Sequence, residues 1–157
     1  MTPTASRWTW PRRSSARRGG RLFLTLREQR SLAYSVWADA LDDVDGGLFS
    51  AGLSCSPDRA DEARAALEAE LARLADEGPS DEEVSRARRM LAGQLAAGLQ
   101  RVATRASDLA SSLLYGIPYG LEAYRTALTL VTPQAVRAAL LRFGVGRPLT
   151  LVVRPER

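Results

Sequence analysis

Histidine is absent from this chain, lysine is absent too, and cysteine occurs once, as Cys55. Without an imidazole there is no Ser-His or Cys-His pair to activate a nucleophile. Nor can there be a His-x-x-Glu-His helix, in which two imidazoles one turn apart hold zinc while the Glu activates water. A single cysteine excludes an internal disulfide and a thiolate cluster for a soft metal. Cys55 follows Leu53 at strand spacing and reads as a small buried side chain rather than a reactive thiol. No apolar run approaches the roughly 20 residues of a membrane span, and the start of the chain lacks the apolar core of a secretory signal. No membrane role is expected. The expected location is cytoplasmic, with the periplasm as the alternative if the start is not native.

What is present is the composition of one soluble globular domain: 157 residues, 45% hydrophobic and 25% charged. The formal charge of +4 is unevenly spread. Residues 1 to 30 hold eight arginines against Glu28 alone, whereas the remainder holds fourteen arginines against seventeen acids, a net of −3. Met1 to Arg18 has neither helical nor strand period and is rich in Arg, Ser, Thr and Pro, so it reads as a disordered or non-native segment preceding a domain at residues 19–157. Trp8 and Trp10 among its arginines could suit nucleic acid or an anionic membrane, but this is the lesser reading.

The chain is organised around Arg21 to Val36, RLFLTLREQRSLAYSV. Leu22, Phe23 and Leu26 share one helix face, with Thr25, Arg27, Glu28 and Gln29 on the other. From Ala33 to Ala40 the period becomes two, with Tyr34, Val36 and Ala38 opposite Ser35, Trp37 and Asp39. A short helix leading into a strand therefore puts Arg27 and Tyr34, seven residues apart, where they can face one cleft. LDDVDGG then turns the chain. Its acids lack the alternating ligands and distant Glu of a calcium loop, so it reads as a solvated hairpin. A second strand, Leu48 to Cys55, completes an antiparallel pair.

Five helices follow. Ser56 as N-cap and Pro57 at the first position open one whose apolar stripe is Ala63, Ala66, Leu67, Leu71 and Leu74, ended by Gly78 and Pro79. Ser80 and Glu83 form a capping box for the next, with Val84, Ala87, Leu91, Leu95, Leu99 and Val102 inward. Arg86, Arg88, Arg89 and Arg101 on it read as a solvated surface. A third runs from Thr104 to Leu114 with Ala106, Leu109, Ala110, Leu113 and Leu114 inward, before GIPYG. Leu121, Tyr124, Leu128 and Leu130 mark a fourth. Thr132 and Pro133 start a fifth, with Val136, Leu140, Leu141 and Phe143 inward and Gly144 and Gly146 breaking it. Leu149 to Val153 should return to the sheet as a last strand, and an exposed sheet edge is expected there or at 33–40. The layout is α+β, an antiparallel sheet covered by helices.

The central segment resembles the pitrilysin, insulinase and mitochondrial processing peptidase family of zinc metallopeptidases. In that family a Gly-rich stretch precedes S-R-L-F-x-x-L-R-E-x-x-G-L-A-Y-S-V. Gly19-Gly20, Arg21-Leu22-Phe23, Leu26-Arg27-Glu28, Leu32-Ala33-Tyr34 and Ser35-Val36 reproduce it. The resemblance continues through Gly47-Leu48-Phe49, Ser56-Pro57-Asp58, Asp76 to Glu83, Leu114-Tyr115-Gly116, Val131-Thr132-Pro133 and Leu149 to Val153. Ser31 stands where the family usually has Gly, and Gly20 where it usually has Ser. Family members pair two homologous domains around a chamber, one holding zinc and the other projecting an Arg and a Tyr towards the substrate. The resemblance thus implies a partial processing-peptidase-like domain, apparently truncated before its first strands and inactive on its own. It carries no cofactor, with zinc in a homologous partner domain or subunit. Its expected ligand is a peptide, with Arg27 and Tyr34 as the substrate-binding and oxyanion-stabilising residues. A non-enzymatic scaffold or assembly subunit of the same fold is the alternative.

Overall fold

The computed structural model describes residues 20–42, 47–117, 119–145 and 148–154. The segment 1–18, the acidic turn residues Asp43 and Asp45, and the helix stops Pro118 and Gly146 lie outside the described residues. Two compact units divide the rest: residues 20–78 with 140–154, and residues 79–139.

In the first unit, helix α1 (Arg21–Phe23) runs directly into a π-helical turn, Leu24–Gln29. Strands β1 (Ser35–Asp42) and β2 (Gly47–Ser54) form a two-stranded antiparallel sheet in which Ser35 pairs with Ser54, Trp37 with Gly52 and Asp42 with Gly47. The hairpin read from the alternation is therefore present, shifted by one or two residues. Val36 is buried on the inner face. On the outer face the Trp37 ring lies over Gly52, where an added Cβ would come within 2.5 Å of the indole. Glycine lets the two strands keep their register with that ring between them.

A 3-10 turn, Pro57–Arg59, leads into α2 (Ala60–Glu77). Proline stands at the first position as the sequence indicated, but no Ser56 side-chain cap forms. The tight turn replaces it: the Arg59 N–H reaches the Ser56 carbonyl at 3.1 Å. Ala63, Ala66, Leu71 and Ala75 are the buried face of α2, whereas Leu67 and Leu74 are half-buried. Gly78, at φ 78°, closes the helix in a conformation that disfavours any residue with a Cβ. The Gly78 carbonyl accepts from the Arg21 guanidinium at 3.4 Å, which ties the end of α2 to the start of α1.

The same unit contains the chain's last described residues. The Val145 N–H bonds the Leu140 carbonyl at 3.2 Å, and both side chains are buried; Phe143 lies 6.5 Å from Phe49, ring to ring. Residues 149–154 form no ladder with β1 or β2, contrary to the strand expected there. Two polar side-chain contacts tether them instead, Thr150 to Glu68 at 3.0 Å and Arg154 to Asp61 at 2.8 Å.

The second unit is helical. In α3 (Asp81–Gly98) the capping box forms as read: the Glu83 N–H donates to Ser80 Oγ at 3.2 Å, and the Ser80 N–H donates to Glu83 Oε2 at 2.8 Å. Helices α4 (Val102–Tyr115), α5 (Leu121–Thr129) and α6 (Pro133–Arg142) follow, and α6 runs on into the first unit. Arg88 of α3 donates to the Thr129 carbonyl at 3.3 Å and to the Val131 carbonyl, joining α3 to the end of α5. Thr132 caps α6 through the Ala135 N–H at 3.1 Å. Burial pushes the Tyr124 phenol of α5 up to about 12.

Helix α4 departs from the expectation. None of its residues is buried, and Leu109, Leu113 and Leu114, read as inward, are exposed. The same holds for Leu141 and Phe143 at the end of α6, whereas Leu140 is buried. Periodicity identifies an apolar face; it does not say whether this chain supplies the surface that covers it. Among the described residues no helix is long and apolar enough to cross a membrane.

Candidate functional site around Arg27 and Tyr34

Leu22, Phe23 and Leu26 are the reason the first helix stays on the core: all three are buried, and Leu26 is 0% exposed. Burying a leucine of this kind contributes roughly 1.5–3 kcal/mol. The helix then widens. The Arg30 N–H reaches back five residues to the Thr25 carbonyl at 3.1 Å, and the Leu32 N–H six residues to the Leu26 carbonyl at 2.8 Å. Single π turns of this type recur at functional sites. Here the widening lets Leu26 and Leu32, six apart, both enter the core, with Leu32 and Ala33 buried on the far side of the turn. Arg27 to Ser31 are left on the surface.

Ser31 is the pivot. It has φ 49° and is the one non-glycine residue with positive φ among those described. This is one of the two positions at which the sequence departs from the pattern it resembles, and the left-handed backbone explains why glycine suits it. Its carbonyl accepts from Arg59 Nη1 at 3.1 Å. Arg59 also holds Glu62 Oε2 through Nε at 3.2 Å and Nη2 at 3.1 Å, while Glu62 Oε1 lies 3.5 Å from Arg30 Nη2.

On either side of this turn stand the two residues singled out from the sequence. Arg27 is exposed, its guanidinium carbon 5.3 Å from the centroid of the Phe23 ring. A cation over an aromatic face is attracted by the ring quadrupole, which steadies the side chain without using its N–H donors. Tyr34 lies just before β1, with its N–H bonded to the Ser54 carbonyl at 2.8 Å and its side chain 67% exposed. The phenol is not sealed in hydrocarbon. Neither the Arg27 guanidinium nor the Tyr34 hydroxyl has a hydrogen bond or ion pair with another described residue, and no hydrogen bond joins them to each other. Tyr34 shares strand parity with buried Val36, yet it lies outside the ladder and faces solvent.

Arg59 and Glu62 were not among the residues singled out from the sequence. The only signal for Arg59 was its place directly after Ser56-Pro57-Asp58, and a helix start does not reveal which way a guanidinium reaches. As for metal, the chain lacks histidine, and no group of three or more Cys, Asp or Glu among the described residues is placed to hold an ion. The residues present do not fit a zinc site.

The chain matches the Peptidase M16 inactive domain over residues 15–91, as its sequence pattern indicated. It is 31% identical over 153 residues to an uncharacterized zinc protease of Streptomyces coelicolor, covering 95% of this chain and 33% of that protein. With an uncharacterized zinc protease of Mycobacterium bovis it shares 36% identity over 138 residues, 84% of this chain and 31% of the relative. The chain thus spans about a third of the length of these curated relatives. Among solved structures, one reported as the inactive peptidase domain of a zinc protease from Bordetella parapertussis superposes with a TM-score of 0.62 at 23% identity. That match covers 79% of this chain and 68% of that one, and establishes the shared α+β fold.

Proposed function

We propose that this chain is the substrate-binding, non-catalytic half of a two-part zinc endopeptidase, whose metal belongs to a homologous partner domain or subunit. In this reading Arg27 donates its N–H groups to backbone carbonyls of an extended peptide. Tyr34 donates its phenolic hydrogen to the oxyanion that develops when water adds to the scissile carbonyl. The observation that supports the reading is that both groups stand exposed on either side of one tied turn, with no hydrogen bond from either to another described residue. An ordinary strand tyrosine or helix-end arginine carries no such requirement. The chain alone is expected to be inactive on peptides.

The test is peptide cleavage by this chain combined with a homologue bearing His-x-x-Glu-His. Tyr34→Phe should lower kcat by about a hundredfold or more, the scale of one lost oxyanion donor, with little change in KM. Arg27→Ala should raise KM. An unchanged kcat for Tyr34→Phe sinks the proposed role. The exposed apolar face of α4 supports a second reading, a scaffold subunit kept for its contacts. That reading prevails if the chain joins the partner yet neither substitution alters turnover.

A further inference from the structure

Resting on the reading above, we propose that Arg59, itself held by Glu62, is a positioning residue for Arg27 and Tyr34. The turn between those two residues passes through Ser31, whose left-handed backbone at φ 49° is unfavourable for a residue with a Cβ. Something must hold the turn in that state. Leu26 and Leu32 anchor its ends in the core. Its middle is held from outside by a residue 28 positions further on: Arg59 Nη1 donates to the Ser31 carbonyl at 3.1 Å. The opposite edge of the same guanidinium grips Glu62 Oε2 through Nε and Nη2, at 3.2 and 3.1 Å. The second oxygen of Glu62 faces Arg30 at 3.5 Å. One carboxylate and one guanidinium therefore brace two consecutive residues of the turn.

The chemistry selects arginine. A planar fork of five donors can serve a carboxylate along one edge and a carbonyl from another, whereas an ammonium is a single point that cannot span both. Stability is a poor explanation for the arrangement. The Arg59 and Glu62 side chains are 39% and 49% exposed, and ion pairs so placed contribute little to folding. What the brace supplies is geometry: without it Ser31 is free to leave its unfavourable conformation, and Arg27 and Tyr34 lose their common frame. Small misplacements of substrate-holding groups are costly, on the order of a hundredfold per ångström.

The experiment is calorimetric titration of the full chain with an unstructured peptide of Gly, Ala, Leu and Ser, paired with amide nitrogen relaxation. Arg59→Ala should weaken peptide binding about tenfold, the equivalent of one positioned hydrogen bond. It should also mobilise the amides of Arg30 to Ala33 while the unfolding midpoint hardly moves. Arg59→Lys should fail to restore affinity, and Glu62→Gln should fall between. Arg27→Ala combined with Arg59→Ala should cost less than the product of the two, because the second loss acts through the first. If Arg59→Ala does unfold the chain, Arg59→Lys, which keeps the charge and most of the stem, decides the question. Wild-type affinity and a quiet turn in Arg59→Lys or Arg59→Ala, with Arg27→Ala weakened, overturns the positioning role and leaves the peptide-binding reading intact. Wild-type affinity in Arg27→Ala, or no binding by the wild-type chain, overturns the reading and this inference together.

Discussion

The two units of this molecule are built on different terms. Of the fifteen buried apolar side chains among the described residues, twelve lie in the unit that carries Arg27 and Tyr34 and three (Val84, Leu95 and Leu128) in the helical unit. In the first, a short helix, a hairpin and α2 bury small and branched residues so that a strained surface turn can be kept. In the second, helices hold together through a capping box, an α3 arginine reaching carbonyls at the end of α5, and half-buried alanines and leucines. A dense core fixes the positions of exposed groups above it, whereas a lightly buried helical unit presents apolar surface instead.

The sharpest way to break that contrast is a pair of leucine truncations. Leu26→Ala, at a fully buried site, should cost about 2–5 kcal/mol by lost burial and the cavity left behind. Leu113→Ala, at 76% exposure, should stay within about 0.5 kcal/mol. Urea unfolding of the two variants measures both, and equal losses would mean that the units do not differ as described. A smaller effect is expected at Gly52. An alanine there meets the Trp37 ring, but the half-exposed indole can swing outward, so about 1 kcal/mol of destabilisation is expected rather than the larger penalty of an overfilled core.

Ser31→Gly tests the strain from the other direction. Relief of the left-handed backbone outweighs the greater freedom of glycine in the unfolded chain, giving a gain of about 0.5–1 kcal/mol in unfolding free energy. A loss would show that the serine is not strained. The last effect belongs to the helical unit and appears only at alkaline pH. The folded-state pKa of Tyr124 lies near 12, above the ordinary value of 10, so the unfolded chain gives up its proton first. Stability should therefore be full below about pH 10 and decline as pH rises towards 12. With no lysine in the chain to titrate in that window, Tyr124→Phe should flatten the decline measurably.

Much of this organisation was legible in the chain, for reasons that differ from element to element. The Ser80–Glu83 box is a local reciprocal bond and needs nothing beyond four residues. The hairpin follows from a two-residue alternation interrupted by turn residues, and its register needs only the pairing that results. The π turn was not legible: six residues carry too little periodicity to distinguish a five-residue step from a four-residue one, and the evidence for it is a pair of backbone bonds. Nor could the fate of α4 be read, because Leu109, Leu113 and Leu114 satisfy a helical stripe whether or not this chain covers them. At the candidate site the positions of Arg27 and Tyr34 came from a family pattern. Their shared brace depends on a guanidinium 28 residues beyond Ser31, a distance over which sequence spacing carries no information.

The segment at residues 149–154 has a practical consequence. Leu149, fully exposed, and Leu151 and Val153 lie bare on a backbone that forms no ladder, while among the described residues Thr150 and Arg154 fasten it through groups on the surface. Such fastenings weaken as ionic strength rises, whereas the attraction between bare hydrocarbon rows does not. Concentrated, salted-out stocks of this chain are therefore where self-association should begin, and dilute, low-salt buffers are where it should stay dispersed.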